Sequence, residues 1–340
     1  MSSFIRDLYS KCKMHGSGDA QIVLSDSELY ILIIIAIKNL EWDDDGLSIQ
    51  HTLPSNEYFQ IPISWFNEQK IDDIDSSAVL NLIEKCFEKN NDFALFIENL
   101  SALHRRRVKY NRILSTQPLP TMDQVGPRVL LEYGECSTNL LANWMLWRKW
   151  FYDIDNRSAQ ETGYLFEPLL ASCLGGAPIG ARNSPIKRLN EKGETTSKGR
   201  QIDCLVPDTN SAYELKLRVT IAASGQGRFG EELSFPVEAR AAGFTPVLLV
   251  LDPTPSPRLT ELAAKFIEQN GIFLQGDNAW SHMENEAGKV VSVFIEKYIK
   301  PAIEAMEQVE ISHPEQLSLC WKDKEIEIKS STDTYSIPRK

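Results

Sequence analysis

Along the first 150 residues, apolar positions recur at helical spacing. Ser25-Asp26-Ser27-Glu28 offers capping side chains ahead of an unbroken apolar run, Leu29 to Ile37. That run reads as a buried helix, although its isoleucines also permit a strand. Ser76 or Ser77 can cap a second helix, with Val79, Leu82, Ile83 and Phe87 on one face. Phe93 to Leu114 forms a third, broken by Gln117-Pro118-Leu119-Pro120. Leu140 to Tyr152 forms another, with Trp144, Trp147 and Trp150 as bulky packing residues.

The pattern changes near residue 157. Arg157 to Leu174 is amphipathic and closes on Gly175-Gly176, a helix stop. A polar stretch follows to Lys198. Then Arg200 to Val206 and Ala212 to Val219 form two strand-like runs around the turn signature Pro207-Asp208-Thr209-Asn210. A helix from Glu231 to Ala242, an all-apolar strand from Pro246 to Leu251 and a helix from Thr260 to Gln269 complete the alternation. This order predicts an α/β fold with a central sheet covered on both faces. A further helix, Ala287 to Met306, carries Val290, Val291, Phe294, Tyr298 and Ile299, an apolar surface suited either to the core or to a second subunit. Lys324 to Lys329 alternates like an exposed strand. The division expected is a mostly helical region at 1–150, an α/β core at 151–310 and a tail at 311–340.

At 340 residues, 42% hydrophobic and 24% charged, the chain is globular in composition. Its longest apolar run falls far short of the roughly twenty residues of a membrane span, and Met1 to Asp7 has no apolar leader core. Six scattered cysteines without a Cys-x-x-Cys pair argue against a zinc site or a disulfide framework and suit a reducing cytoplasm. The net charge of −11 hides an asymmetry. Residues 1–100 carry 7 basic against 17 acidic groups, 101–230 carry 18 against 12, and 231–340 carry 11 against 18. A basic middle between acidic flanks leaves room for a nucleic-acid groove; ordinary surface charge is the plainer explanation.

The informative constellation is Asp203, Glu214 and Lys216. Glu214 and Lys216 are two apart on a strand and share a face, and antiparallel pairing can bring Asp203 beside them. Two carboxylates and a backbone carbonyl make a hard oxygen site suited to Mg²⁺. A lysine beside it can orient water and offset charge on a phosphate. A Glu-x-Lys on a strand is often only a solvated face, but here the charges interrupt an apolar run, Ala212 to Leu217. The preceding helix offers one more carboxylate, Glu167 in Gly163-Tyr164-Leu165-Phe166-Glu167 or Glu161 two turns earlier.

These residues, in this order, resemble the PD-(D/E)xK nuclease superfamily, to which many type II restriction endonucleases belong. The resemblance implies a restriction-endonuclease-like mixed central sheet flanked by helices. It makes Asp203, Glu214 and Glu167 the Mg²⁺ ligands and Lys216 the catalytic lysine. Ile202 stands where the superfamily's proline would precede Asp203. The stretch Leu217 to Arg228, with Glu231-Glu232-Leu233, Ala279-Trp280 and Tyr298-Ile299-Lys300-Pro301, is similar to the ApaLI-like group, which implies cleavage of a palindromic hexanucleotide.

A duplex substrate needs phosphate clamps and base readers. Candidates are Arg105, Arg106 and Lys109 in one basic helix, and Lys187, Arg188 and Arg200 in a second basic stretch that also holds Arg182, Lys192 and Lys198. Ser224, Gln226 and Arg228 lie in a glycine-flanked loop suited to base edges. Cutting both strands of a palindrome implies a homodimer, and a restriction enzyme implies a cognate methyltransferase acting on the same site. The alternatives are a repair or recombination nuclease, a non-catalytic DNA-binding protein on the same scaffold, and a paired-carboxylate glycosidase. Absence of Gly-x-x-x-x-Gly-Lys-Ser/Thr argues against a motor, and five dispersed histidines argue against Ser/His or Cys/His catalysis.

Overall fold

The computed structural model describes residues 2–14, 21–42, 53–68, 74–190, 192–217, 226–307, 318–322 and 325–338. The N-terminal part contains α1 (Ser3–Lys13), α2 (Asp26–Asn39), α3 (Ile63–Glu68), α4 (Ser76–Lys89) and α5 (Phe93–Thr116). The isoleucine-rich run is helical because its start is closed twice. Ser25 Oγ accepts the Glu28 N–H at 3.1 Å, and the Glu28 carboxylate accepts the Ser25 N–H at 2.6 Å. α2 is apolar all round because α1, α3, α4 and α5 surround it. Each fully buried isoleucine there contributes roughly 1.5–3 kcal/mol.

After the short α6 (Met122–Val125) comes α7 (Thr138–Cys173). Two helices were expected here, and the structure has one of 36 residues, which runs through position 150. Asp153-Ile154-Asp155-Asn156 contains no breaker, and Lys149 pairs with Asp153 one turn on. Pro168 is tolerated inside α7 where the helix faces solvent.

β1 (Ala177–Ile179) follows, then the hairpin of β2 (Lys187–Leu189) and β3 (Thr195–Gly199), then β4 (Ile202–Val206) and β5 (Ser211–Lys216). Beyond them lie α8 (Gln226–Ala241), β6 (Thr245–Val250), α9 (Pro257–Glu268), β7 (Ile272–Gln275), α10 (Asp277–Phe294), a π-helical turn at 295–299 and α11 (Lys300–Glu307). A meander of β8 (Ser318–Trp321), β9 (Glu325–Lys329) and β10 (Thr334–Pro338) ends the chain.

The central sheet has the order β1-β4-β5-β6-β7. Its pairs are antiparallel from β1 to β5 and parallel from β5 to β7, so the sheet is mixed. Cys204, Val206, Tyr213, Leu215, Val247 and Leu249 join one hydrophobic cluster with α7, α10 and the N-terminal helices. Ala212, Leu248 and Val250 pack on the other side with Phe235 of α8 and Leu262 and Phe266 of α9. Burial on both faces is what the continuous apolar run of β6 requires. Gly176 makes the crossing from α7 to the sheet possible. A Cβ there would lie 2.5 Å from Cys204 Sγ and 2.6 Å from the Leu205 carbonyl oxygen.

Of the two roles left open for the helix near 287–306, core packing is the one the structure shows. Val290, Val291, Phe294, Ile295, Tyr298 and Ile299 are buried against Phe96 and its neighbours, so that apolar face belongs to the core.

Candidate active site

The β4–β5 hairpin sets Cys204 opposite Tyr213 and Leu205 opposite Ala212. One further step in that register places Asp203 opposite Glu214. Side chains alternate along a strand, so Asp203, Glu214 and Lys216 share the face of Ala212, the face covered by α8. Asp203 Oδ2 accepts the Leu215 N–H at 3.0 Å. Lys216 Nζ donates to Glu214 Oε1 at 2.9 Å and to Glu232 Oε1 on α8, also at 2.9 Å. These three side chains are only 17%, 13% and 11% exposed.

Glu167 stands on the solvent side of α7, and its charge reaches Asp203. Burial pushes the Asp203 carboxyl well above the usual carboxylate range, and the facing Glu214 carboxylate pushes it further. The Leu215 N–H and the Lys216 ammonium pull the other way without prevailing. For Lys216, burial disfavours the charge, but Glu214 and Glu232 outweigh it and hold the ammonium above its ordinary value. Two carboxylates, Glu214 and Glu232, thus converge on the Lys216 ammonium, with Asp203 beside them.

The sequence profile of the ApaLI-like restriction endonucleases matches residues 62–300, a span that includes the whole cluster. The chain is also 47% identical over 261 residues to the type II restriction enzyme ApaLI of Acetobacter pasteurianus, covering 76% of this chain and 68% of that protein. This chain belongs to the ApaLI-like restriction endonuclease family. No solved structure matches it. The mixed sheet flanked by helices agrees with a restriction-endonuclease-like fold.

Type II restriction endonucleases generally require a divalent metal ion, and the donor chemistry of this ApaLI-like chain fits one. Paired carboxylates, one of them raised well above the usual carboxylate range by burial and by the facing Glu214, are hard oxygen ligands. Among the described residues no three such groups are already gathered around one point. Asp203 is turned to the Leu215 N–H and Glu214 to Lys216.

Of the expected DNA contacts, several are engaged inside the protein. Arg105 is buried and donates to the Cys12 carbonyl, so it is an internal strut and not a phosphate clamp. Arg106 and Lys109 converge on the buried Glu161, Lys109 at 2.8 Å, and hold its carboxyl below the usual range against the cost of burial. Those pairs tie α5 to α7 and occupy Glu161, leaving Glu167 as the α7 carboxylate near Asp203. Arg200 is buried too. It pairs with Glu238 at 3.2 Å and donates to the Glu231 carbonyl at 2.6 Å, fixing α8 to the β2–β3 hairpin.

Lys187 Nζ donates to the Ser184 carbonyl at 2.7 Å, and Arg188 pairs with Glu231 at 2.9 Å in an exposed position. Arg182, Lys192 and Lys198 on or beside the hairpin are exposed. Ser224 lies outside the described residues. Gln226 and Arg228 fall in the first turn of α8, with side chains outside the described set. Among the described residues no helix is long and apolar enough to cross a membrane.

Sequence reasoning gave no role to Glu232. The available signal was a carboxylate on the first helix after the Lys216 strand, and only packing shows which of Glu231 and Glu232 faces the sheet.

The Arg200–Glu238 pair sets a stability expectation. Glu238→Gln strands a buried guanidinium and destabilises the fold by about 3–5 kcal/mol, read as a lower urea midpoint. Simultaneous replacement of Arg200 and Glu238 by Met and Leu recovers most of the loss.

Proposed function

We propose that this chain is a Mg²⁺-dependent endonuclease that cuts double-stranded DNA at a short palindrome, with Asp203, Glu214 and Lys216 as its catalytic centre. The observation that carries this reading is the register that faces Asp203 with Glu214 and sets Lys216 two residues on, beneath α8. Asp203, Glu214 and a β5 carbonyl would hold the ion, with Glu167 as an outer carboxylate. When bound, it supplies Lewis-acid polarisation of the phosphate and a more acidic water.

The protein's own groups do the rest. Lys216 offers an ammonium to orient the attacking water and to offset charge growing on the phosphate oxygens. The cations on or beside the hairpin, the exposed Arg182, Lys192 and Lys198 and the half-buried Lys187 and Arg188, track the DNA backbone beside the cluster. Ser224, Gln226 and Arg228, in the segment leading from Lys216 into α8, read bases. A twofold homodimer places one cluster on each strand. A methyltransferase acting on the same site protects the host DNA in the cytoplasm.

The test is incubation of the full chain with unmethylated phage DNA, with Mg²⁺ or with chelator. Discrete Mg²⁺-dependent fragments are expected, and their sequenced ends give the site. A smear points to an end- or structure-directed nuclease, and salt-sensitive binding without cleavage points to a DNA-binding scaffold. Either outcome contradicts the proposal.

A further inference from the structure

Lys216 is held by two carboxylates, and the proposed function commits only one of them to the metal ion. Glu214 faces Asp203 and would turn toward the cation. Glu232, on α8, reaches the same ammonium from the other element at 2.9 Å. Its second oxygen, Oε2, is buried and has no hydrogen-bond partner among the described residues. An uncompensated buried carboxylate oxygen is costly, so packing alone does not account for the residue.

The backbone beneath it is also anchored. Arg200 donates to the carbonyl of Glu231, the residue immediately before, and pairs with Glu238 two turns further along α8. Glu238 in turn accepts the Leu189 N–H at 3.2 Å, and Arg188 pairs with Glu231. The hairpin thereby fixes the turn of α8 that carries Glu232, and through it the place of the Lys216 ammonium.

We propose that Glu232 is the positioning residue for Lys216: it keeps the ammonium in place beside the scissile phosphate once Glu214 is engaged by the cation. This rests on Lys216 acting in catalysis. Glu232 touches neither DNA nor the ion. Its carboxylate fixes one long, flexible side chain in a single geometry, and misplacement of a catalytic group by about 1 Å can cost 10²-fold in rate.

The test uses the full chain and the variants Glu232→Gln and Glu232→Ala. Three quantities are measured: single-turnover cleavage at saturating enzyme, DNA affinity in Ca²⁺, and the Mg²⁺ concentration giving half-maximal rate. Glu232→Gln keeps an acceptor for the ammonium and is expected to slow cleavage by about 10-fold, Glu232→Ala by about 100-fold. DNA affinity and the Mg²⁺ half-point stay within about twofold of wild type. A wild-type rate in both variants overturns the proposal. So does a loss reversed by more Mg²⁺, which makes Glu232 a metal ligand, or an equal loss in rate and affinity, which makes it structural.

A fourth readout does not depend on cleavage. In metal-free protein, acetylation of Lys216 followed by mass spectrometry is expected to be several-fold faster in Glu232→Ala than in wild type. No change there overturns the proposal even if the nuclease reading has failed on its own test.

Discussion

Lys216→Ala lowers the single-turnover rate of DNA cleavage by about 10³-fold and leaves DNA affinity, measured in Ca²⁺, within a few-fold of wild type. The size follows from where the ammonium sits. It lies at 2.9 Å from carboxylates on both β5 and α8, 83% shielded from solvent, with its charge secured by Glu214 and Glu232. A fixed positive charge in such surroundings acts on developing phosphate charge far more strongly than one in water. Its contribution to binding is expected to be small because the cations proposed to meet the DNA backbone lie on or beside the hairpin. Quench-flow or gel-based rates at saturating enzyme check the first half, and a gel shift checks the second. A parallel fall in rate and affinity would assign Lys216 to DNA binding.

Asp203→Asn has two expected effects of opposite sign. Cleavage is lost, because the carboxylate facing Glu214 is gone. The metal-free protein becomes more stable, because Asp203 is buried against Glu214 and within reach of Glu167. The folded state holds the Asp203 proton to higher pH than the unfolded chain, whose carboxyl titrates near an ordinary value of about 3.9. The folded state therefore binds more protons, and stability falls as pH rises from that value through the raised folded one. Asparagine is neutral throughout and still accepts the Leu215 N–H. Without metal at pH 8, Tm rises by a few degrees, and the decline of Tm with rising pH above about 4 flattens. Mg²⁺ stabilises wild type by mass action and leaves the variant unchanged. Thermal melts across pH, with and without Mg²⁺, read all of this. A variant less stable than wild type at pH 8 would mean that Asp203 is held by favourable contacts and not by repulsion.

The fold was legible wherever one period dominated. The helices at 76–89 and 93–116 and the strand at 245–250 stand close to their sequence-based limits because their apolar spacing admits one answer. The juxtaposition of Asp203, Glu214 and Lys216 was legible for the same reason. A tight turn between two alternating strands brings Asp203 to Glu214, and period-two geometry does the rest. β1, β2, β3 and β7 were not recognised, being three to five residues long with no alternation of their own. The two central helices merged into α7 because a polar stretch without proline or glycine does not end a helix.

Charge was the least legible property. Arg105, Arg106, Lys109 and Arg200 read as DNA contacts, and the structure gives their charges to Cys12, Glu161, Glu238 and the Glu231 carbonyl. A buried strut and a solvent-facing clamp look identical in a sequence, because the difference lies in a partner 31 to 93 residues away. Glu232 was missed for the converse reason, since its partner lies across a packed interface 16 residues back.

The most direct measurement is localised oxidative cleavage of the protein itself. Fe²⁺ with ascorbate and peroxide replaces Mg²⁺ in the full chain, and the peptide fragments are mapped by mass spectrometry. Backbone scission next to Asp203 and between Glu214 and Lys216, suppressed by excess Mg²⁺ and lost in Asp203→Asn, is the expected result. Mg²⁺-protected scission elsewhere, or none in the β4–β5 hairpin, would contradict the placement of the catalytic centre at this cluster.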